Sequence, residues 1–199
     1  MADAHFFVAG VDEAGRGPWA GPLFAAAVIL KPRQKLPGLN DSKKLSPKQR
    51  EILHTKIIKN CISYGVGEVS NEFIDRYGLT KAVQEANLKA IKKLNPQPNV
   101  VLFDGRDKQT TNIPHKTIIR GDSLIREIMA ASVIAKVERD RKMLKLSIKY
   151  PNYGFEKHFG YGTRLHRDLL ERFKPCAIHR KSYTPVAEIL TTNNFNREE

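Results

Sequence analysis

Cysteine is scarce in this chain, which has only two, Cys61 and Cys176, among its 199 residues. They stand far apart and form no CxxC pattern, which argues against a disulfide framework or a cysteine-rich zinc site and favours a reducing compartment. The histidines of the C-terminal third, His158, His166 and His179, show neither HxxxH nor HExxH spacing. They therefore do not predict a zinc site either.

Long apolar segments are also missing. The longest run, residues 23–30, is far shorter than the ~20 residues that cross a bilayer as a helix. Residues 1–4 carry an acid where a signal peptide has basic residues, and residues 6–11 are too short for its apolar region. The sequence thus predicts a cytoplasmic protein that does not associate with membranes.

Acidic residues are the minority among the charged ones, because 21 Asp and Glu stand against 34 Lys and Arg, for a formal net charge of +13. Such an excess is expected when the partner is a polyphosphate, since each neutralised phosphate releases counterions. Ribosomal proteins and simple nucleic-acid binders share this property. The charge therefore predicts a class of partner and says nothing about catalysis.

The length and composition suit one folded domain. Hydrophobic residues make up 41% and charged residues 28% of the chain, which is enough apolar material for a core. We predict a single domain over residues 1–190, with a core at about residues 1–145 and a helical C-terminal portion at about residues 146–190. Residues 191–199 are predicted to form a tail, and residues 196–199 to be frayed.

Hydrophobic periodicity predicts strands first and then alternating strands and helices. Strands are predicted at residues 5–11, 22–30, 62–69, 100–103 and 117–119. Helices are predicted from the Ser46 cap to Asn60, at residues 79–94, from Asp122 to about Lys145, and at residues 165–173 and 185–190. Residues 151–162 are expected to be loop. This order indicates an α/β sheet core with a helical C-terminal portion.

Four acidic residues are best considered together: Asp12, Glu13, Asp104 and Asp122. Asp12 and Asp104 each end an apolar strand-like run before a glycine-bearing turn, and ligands gather at strand ends in open α/β sheets. Asp122 begins the long predicted helix. In a regular strand, Asp12 and Glu13 would point to opposite faces, so both serve one site only if the strand ends there.

Carboxylates without histidine or cysteine suit hard cations such as Mg²⁺ or Mn²⁺. Two such ions about 3.5–4 Å apart can activate a water and stabilise the leaving oxygen of a phosphodiester. Each acid also has a simpler interpretation: Asp122 as a helix N-cap, Asp104 as a turn former, and the Asp12–Glu13 pair as a solvated turn. Only their joint placement favours a metal site.

Two short motifs are candidates for substrate contact. Gly15, Arg16 and Gly17 follow the acidic pair, and their glycines allow backbone amides to approach a phosphate or a sugar hydroxyl. The alternative is a tight turn with an exposed arginine. Residues 41–46 offer Ser42, Lys43 and Lys44 for a nucleic-acid backbone, or simply form a lysine-bearing loop before a helix.

The C-terminal half contributes weaker candidates. Tyr161 lies in a glycine-rich basic loop, where an aromatic ring can stack on a base or sugar. Ser132 and Lys136 are the polar members of an otherwise apolar helix face, and satisfied core positions are the alternative to a role at the acids. The segment His179-Arg180-Lys181-Ser182 indicates a basic surface contact or nothing.

These motifs occur in an order that resembles bacterial ribonuclease HII, the type 2 ribonuclease H family, over about residues 8–190. The matching segments are Val-Asp-Glu-Ala-Gly-Arg-Gly-Pro, Asp-Ser-Lys-Lys-Leu-Ser, Phe-Asp-Gly, Arg-Gly-Asp, Ala-Ser-Val-Ile-Ala-Lys-Val-Glu-Arg-Asp, Tyr-Pro-Asn-Tyr-Gly-Phe-Glu-Lys-His, Gly-Tyr-Gly-Thr and Ile-His-Arg-Lys-Ser-Tyr. One motif would be suggestive, whereas the ordered series is specific.

The resemblance implies a ribonuclease H-like mixed sheet flanked by helices, with a helical C-terminal extension. It implies an endonuclease that hydrolyses the RNA strand of RNA–DNA hybrids, including single ribonucleotides in duplex DNA, and leaves 3′-hydroxyl and 5′-phosphate ends. Two Mn²⁺ or Mg²⁺ ions would be held by Asp12, Glu13, Asp104 and Asp122.

For the substrate, the resemblance implies that Gly15, Arg16 and Gly17 sense the ribose 2′-hydroxyl and that Tyr161 stacks near the RNA–DNA junction. The expected partner is the RNA–DNA hybrid or ribonucleotide-containing DNA, bound by a monomer. Phe159 stands where the family has a lysine, which puts one phosphate contact in doubt, and Arg120 replaces another lysine with retention of charge. Two rivals remain: a non-catalytic basic binding protein, and another metal nuclease of the same fold, such as an exonuclease or a Holliday-junction resolvase.

Overall fold

The structure, a computed structural model, describes the backbone of residues 6–195 and the side chains of residues 6–191. His5 of the first predicted strand and the predicted frayed tail at residues 196–199 lie outside the described residues. Within the described part, no helix is both long enough and apolar enough to span a bilayer.

A five-stranded mixed sheet forms the centre of the molecule, in the order β3-β2-β1-β4-β5. The strands are β1 (Val8–Ala14), β2 (Leu23–Ile29), β3 (Ser63–Val69), β4 (Val100–Asp104) and β5 (His115–Ile118). β2 pairs antiparallel with both β1 and β3. β4 pairs parallel with β1 and β5. All five predicted strands are present, with ends that differ by a few residues.

Helices cover both faces of the sheet and form the C-terminal portion. They are α1 (Pro47–Asn60), α2 (Asn71–Tyr77), α3 (Leu79–Lys92), α4 (Gly121–Leu124), α5 (Arg126–Lys149), α6 (Phe155–His158), α7 (Arg164–Phe173) and α8 (Thr184–Phe195). Short 3₁₀ turns occur at Ser42–Lys44 and Pro151–Tyr153. This is the predicted α/β architecture, a mixed sheet flanked by helices with further helices after residue 150.

Local signals explain where α1 begins. Ser46 accepts a hydrogen bond from the Gln49 backbone amide, the Gln49 side chain accepts one from the Ser46 amide, and Pro47 occupies the first turn. These contacts satisfy amides that a helix start leaves without intrahelical partners.

The prediction of one long helix from Asp122 is wrong in one respect, because this segment forms two helices, α4 and α5. Ile125 has an extended backbone (φ −114°, ψ 122°), and it separates α4 from α5. The loop predicted at residues 151–162 also contains the short helix α6. The last helix continues to Phe195, beyond the predicted end at residue 190. α2 was not predicted.

The core lies in two layers, one on each face of β2. Leu23, Ala25, Ala27 and Ile29 pack toward α2 and α3. Ala26 and Val28 pack toward α1 and α5. Because side chains alternate along a strand, burying both faces requires the uninterrupted apolar run seen in the sequence.

Glycines allow the helices to lie close against this sheet. A Cβ on Gly10 of β1 would overlap the backbone of Glu127 and Ile128 at the start of α5. A Cβ on Gly67 of β3 would likewise overlap the Ala86 carbonyl of α3. The start of α5 is therefore held directly against β1, the strand that carries Asp12 and Glu13.

Candidate active site

Three of the four predicted acids meet at one edge of the sheet. Asp12, Asp104 and Asp122 each offer a carboxylate oxygen, and these oxygens all lie within 4.8 Å of one another. Asp12 and Asp122 are almost fully buried. Parallel pairing of β1 with β4, in the register Val11↔Phe103, brings the next residues of both strands, Asp12 and Asp104, to the same edge.

Three hydrogen bonds hold these carboxylates in place. Asp104 Oδ1 accepts from the Asp122 backbone amide at 3.3 Å, which ties the start of α4 to the end of β4. Asp12 Oδ1 accepts from the Glu13 amide at 2.7 Å. Lys43 Nζ donates to Asp122 Oδ2 at 3.1 Å from an exposed position. Among the described side chains, Lys43 is thus the one ammonium group that forms an ion pair with any of the three carboxylates.

The electrostatics of the cluster follow from burial and like charge. Burial raises the pKa of Asp12 well above its usual value, and the charges of Glu13 and Asp104 raise it further. Burial also raises the pKa of Asp104, with a contribution from Asp122. An all-oxygen set of buried acids that repel one another matches the preferences of a hard divalent cation. The residues present therefore fit a metal ion of this class.

Glu13 is placed differently from the other three acids. β1 continues through Ala14, with Glu13 paired opposite Ala25, so the strand does not end after Asp12. The Glu13 carboxylate accepts from Arg16 Nη1 at 3.1 Å, and the same atom of Arg16 donates to Asp107 at 2.8 Å. Burial raises the pKa of Glu13, while Arg16 opposes this shift. Glu13 thus lies beside the three-acid cluster and outside it.

A cleft of about 390 Å³ opens beside Asp12, Glu13 and Asp104, whereas Asp122 is not among the residues that line it. Its lining brings together most of the predicted site residues: Asp12, Glu13, Gly15, Arg16, Gly17, Ser42, Lys43, Asp104, Lys136 and Tyr161. Lys44 is exposed and is not among the residues that line the cleft. The cleft is therefore lined by carboxylates, cations, an aromatic ring and the glycine turn, residues 15–17. Such a lining can hold a metal ion together with a sugar–phosphate strand.

Ser132 and Lys136, which the sequence left open, have different environments. The Ser132 hydroxyl is buried and donates to the Met129 carbonyl at 3.0 Å, so it is a satisfied core group. Lys136 Nζ donates to Asp140 at 2.8 Å and lies 5.3 Å from the centre of the Tyr161 ring. Lys136 therefore supports the wall of the cleft.

Arg180 and Arg139 are two residues that sequence reasoning misjudged or missed. The segment at 179–182 was interpreted as a basic surface contact or nothing, yet Arg180 is 0% exposed, as is Arg139 on α5. Their guanidinium groups bind backbone carbonyls of residues 15–22. For Arg139, the one available signal was a charged residue three positions after Lys136 on the mainly apolar α5.

The three C-terminal histidines form a buried cluster beneath the Tyr161 loop. His179 Nδ1 accepts from the Cys176 amide at 2.9 Å, and its Nε2 lies 3.1 Å from His166 Nε2. The His166 Nδ1 lies 3.0 Å from the Tyr161 carbonyl. With both rings neutral, His179 donates to His166 and His166 donates to the Tyr161 carbonyl. Every ring nitrogen of these two histidines therefore has a hydrogen-bond partner.

Acid should destabilise the protein through this cluster. Burial, aided by the neighbouring ring, lowers the pKa of His179 to about 3, and burial and His158 lower that of His166 to about 4. The unfolded chain takes up these protons near the usual pKa of about 6.5, whereas the folded chain does not, so stability is lost as the pH falls below that value. For each histidine we expect the loss to approach about 1.4 kcal/mol per pH unit below about pH 6, measured by urea unfolding between about pH 7 and pH 5.

A His179→Gln variant provides the control for this pH dependence. Glutamine does not titrate, so the slope of stability against pH should decrease by the share of one histidine. The comparison of slopes also cancels the opposite contribution of the buried acids, whose raised pKa values increase stability as the pH falls. Equal slopes in the two proteins would contradict the prediction.

Comparisons with known proteins agree with this arrangement. A family model described as Ribonuclease HII matches residues 9–186. Ribonuclease HII of Caldicellulosiruptor saccharolyticus is 46% identical over 183 residues, which cover 92% of this chain and 89% of that protein. The crystal structure of ribonuclease H2 from Pyrococcus horikoshii OT3 superposes with a TM-score of 0.84 at 29% identity, covering 95% of this chain and 99% of that one.

A more distant structure shares the fold alone. Bst-RNase HIII in complex with Mn²⁺ superposes with a TM-score of 0.69 at 16% identity, covering 94% of this chain and 70% of that one.

Proposed function

The chain belongs to the ribonuclease HII family and is a metal-dependent endoribonuclease that cuts RNA in RNA–DNA hybrids, and we propose that Asp12, Asp104 and Asp122, with Glu13 beside them, form its catalytic site. The observation that carries this proposal is the meeting of three carboxylates, remote in sequence, within 4.8 Å of one another, two of which, Asp12 and Asp104, line a cleft. We further propose that a single ribonucleotide within duplex DNA is a substrate, cut on its 5′ side to leave 3′-hydroxyl and 5′-phosphate ends.

The donor set supports Mn²⁺ or Mg²⁺, with two ions per site, held by Asp12, Glu13, Asp104 and Asp122. Such ions supply an activated water and charge stabilisation for the leaving oxygen. Asp12 adjoins Glu13 on its own strand and shares the cluster with Asp104 on the next, so its buried carboxylate would help to hold the metal together with either neighbour. Glu13 would leave Arg16, or share its carboxylate with it, to complete the set.

Other residues of the cleft are assigned to the nucleic acid. Ser42, Lys43 and Lys44 precede α1 and would bind phosphates of the backbone, for which Lys43 is well exposed. Asp107 holds the Arg16 side chain even if Glu13 turns to the metals, so recognition of the 2′-hydroxyl falls to the backbone amides of residues 15–17. The half-exposed ring of Tyr161 would stack against a sugar or base at the opposite wall.

The proposal is tested with a DNA duplex that carries one ribonucleotide, incubated with Mn²⁺ or Mg²⁺. We expect one nick on the 5′ side of the ribonucleotide, with ends identified by their response to ligase and phosphatase. The matched control is the same duplex with a deoxynucleotide at that position, which should stay intact.

The other outcomes separate the rivals. Binding without any nick would indicate a nucleic-acid-binding protein that does not catalyse. Cutting of the all-DNA control would indicate another metal nuclease of this fold. Either result would overturn the proposed substrate.

A further inference from the structure

Arg180 binds backbone carbonyls of the glycine turn (residues 15–17) and of Gly21 after it. Its Nη2 donates to the Gly15 carbonyl at 2.7 Å and its Nη1 donates to the Arg16 carbonyl at 3.0 Å. Its Nε donates to the Gly21 carbonyl at 3.1 Å. One side chain from the C-terminal portion thus binds three carbonyls between residues 15 and 21, two of them on Gly15 and Arg16, which line the cleft.

Arg139 supports the same segment from α5. Its Nε donates to the Pro22 carbonyl at 3.1 Å, and its Nη2 donates to the carbonyls of Ala20 at 3.3 Å and Phe159 at 3.1 Å. A Cβ on Gly15 would overlap the Arg139 side chain, so the turn lies directly on it. Arg139 therefore joins the glycine turn to the loop that carries Tyr161.

Neither guanidinium group has an anionic partner. Both arginines are 0% exposed, and no salt bridge within residues 6–191 includes either of them. Burying a charge without a counterion is unfavourable. The presence of two such buried charges beneath one turn therefore indicates that the function needs the backbone of that turn to keep a particular geometry.

The geometry follows from the planarity of the peptide bond. In a trans peptide, the carbonyl of one residue and the amide of the next point in opposite directions. Since the carbonyls of Gly15 and Arg16 point to Arg180, the amides of Arg16 and Gly17 point away from it. Neither amide donates a hydrogen bond within the described residues, and both residues line the cleft. Two adjacent free donors are thereby presented on the side opposite Arg180.

We propose that Arg139 and Arg180 are positioning residues that orient the backbone amides of Arg16 and Gly17 toward the substrate sugar, and that the preference for ribose over deoxyribose depends on them. This inference rests on the proposed function, because it assigns the two amides to the 2′-hydroxyl. Neither arginine touches the nucleic acid. They act through the turn.

The test compares Arg180→Met and Arg180→Lys with the wild type on the single-ribonucleotide duplex. Methionine fills the volume and binds no carbonyl, and we expect kcat/KM to fall about 100-fold, the loss that a small misplacement of a recognition group causes. Lysine has no planar fork and should recover only part of the activity. Arg141→Met is the matched control, since Arg141 lies on α5 and pairs at the surface with Glu51 and Glu138.

A readout independent of cleavage is the amide cross-peak of Gly17 in ¹H–¹⁵N NMR spectra. It should move or broaden in both Arg180 variants and stay in place in the Arg141 control, while cross-peaks from α3 remain unchanged in all of them. If Arg180→Met does not fold, Arg180→Lys alone decides the question.

The results separate the two proposals. An unshifted Gly17 cross-peak, or a kcat/KM within twofold of wild type per folded molecule, overturns the positioning role. If the wild type itself makes no nick, the proposed function fails, and the NMR spectra still decide whether the arginines set the turn.

Discussion

Asp12→Asn should abolish cleavage, with kcat at least about 1,000-fold below wild type. The physical reason is the position of Asp12, buried at the floor of the cleft between Glu13 and Asp104. Metal-assisted stabilisation of the transition state amounts to several kcal/mol, and each 1.36 kcal/mol corresponds to tenfold in rate. Asparagine keeps the shape of the side chain and removes the charge. Binding of the uncut hybrid, measured by fluorescence anisotropy, should therefore stay close to wild type.

The same substitution should stabilise the metal-free protein at neutral pH. Burial and like charge raise the folded-state pKa of Asp12, so the folded chain binds that proton more tightly than the unfolded chain does. Stability is consequently lost as the pH rises through the raised pKa, and at neutral pH the ionised group opposes folding. Asparagine removes this opposition, and the gain should vanish in acid, where Asp12 is neutral in both states.

Thermal unfolding in the presence of a chelator measures this gain. Asp168→Asn is the matched control, since Asp168 lies on α7 with a side chain that is 60% exposed, and it should change neither activity nor melting temperature. A metal-free Asp12→Asn protein that melts below wild type would contradict the account of repulsion at the site.

The sequence signal behind Asp12 and Asp104 is local, and their meeting at the sheet agrees with it, while their catalytic roles stay a prediction. Asp12 and Asp104 each end an apolar strand, and parallel strands that are neighbours place such residues at the same edge. The sequence could not show that α4 turns back so that the Asp122 amide reaches Asp104. Nor could it show the break at Ile125, where an extended residue interrupts a pattern that otherwise continues as one helix.

The supports of the site could not be predicted, because they depend on long-range contacts. Arg180 is separated from Gly15 by 165 residues, and its surroundings in sequence are basic and polar. Composition therefore indicated a solvated surface, whereas tertiary contacts bury the residue completely. The histidines of the C-terminal third were similar, because their spacing could not reveal the hydrogen bonds that link His166 and His179.

A single methyl group on Gly10 is the change expected to damage both the fold and the site. In Gly10→Ala the new Cβ would overlap the backbone of Glu127 and Ile128, neither of which can rotate away as a side chain would. Relief requires α5 to move off β1, and overpacking of this kind costs about 3 kcal/mol or more when backbone must shift. Since α4 and Asp122 directly precede α5, the shift would also draw Asp122 away from Asp12.

Two measurements check this prediction together. Urea unfolding should show the loss of stability, and cleavage per folded molecule should fall as well, because the three carboxylates no longer meet. Gly17→Ala is the matched control for stability, since a Cβ there has no atom within 4 Å and the residue has no positive φ. It should unfold like wild type, even if the added methyl group hinders the substrate. A Gly10→Ala protein as stable as Gly17→Ala would mean that the close approach of α5 to β1 does not hold the site together.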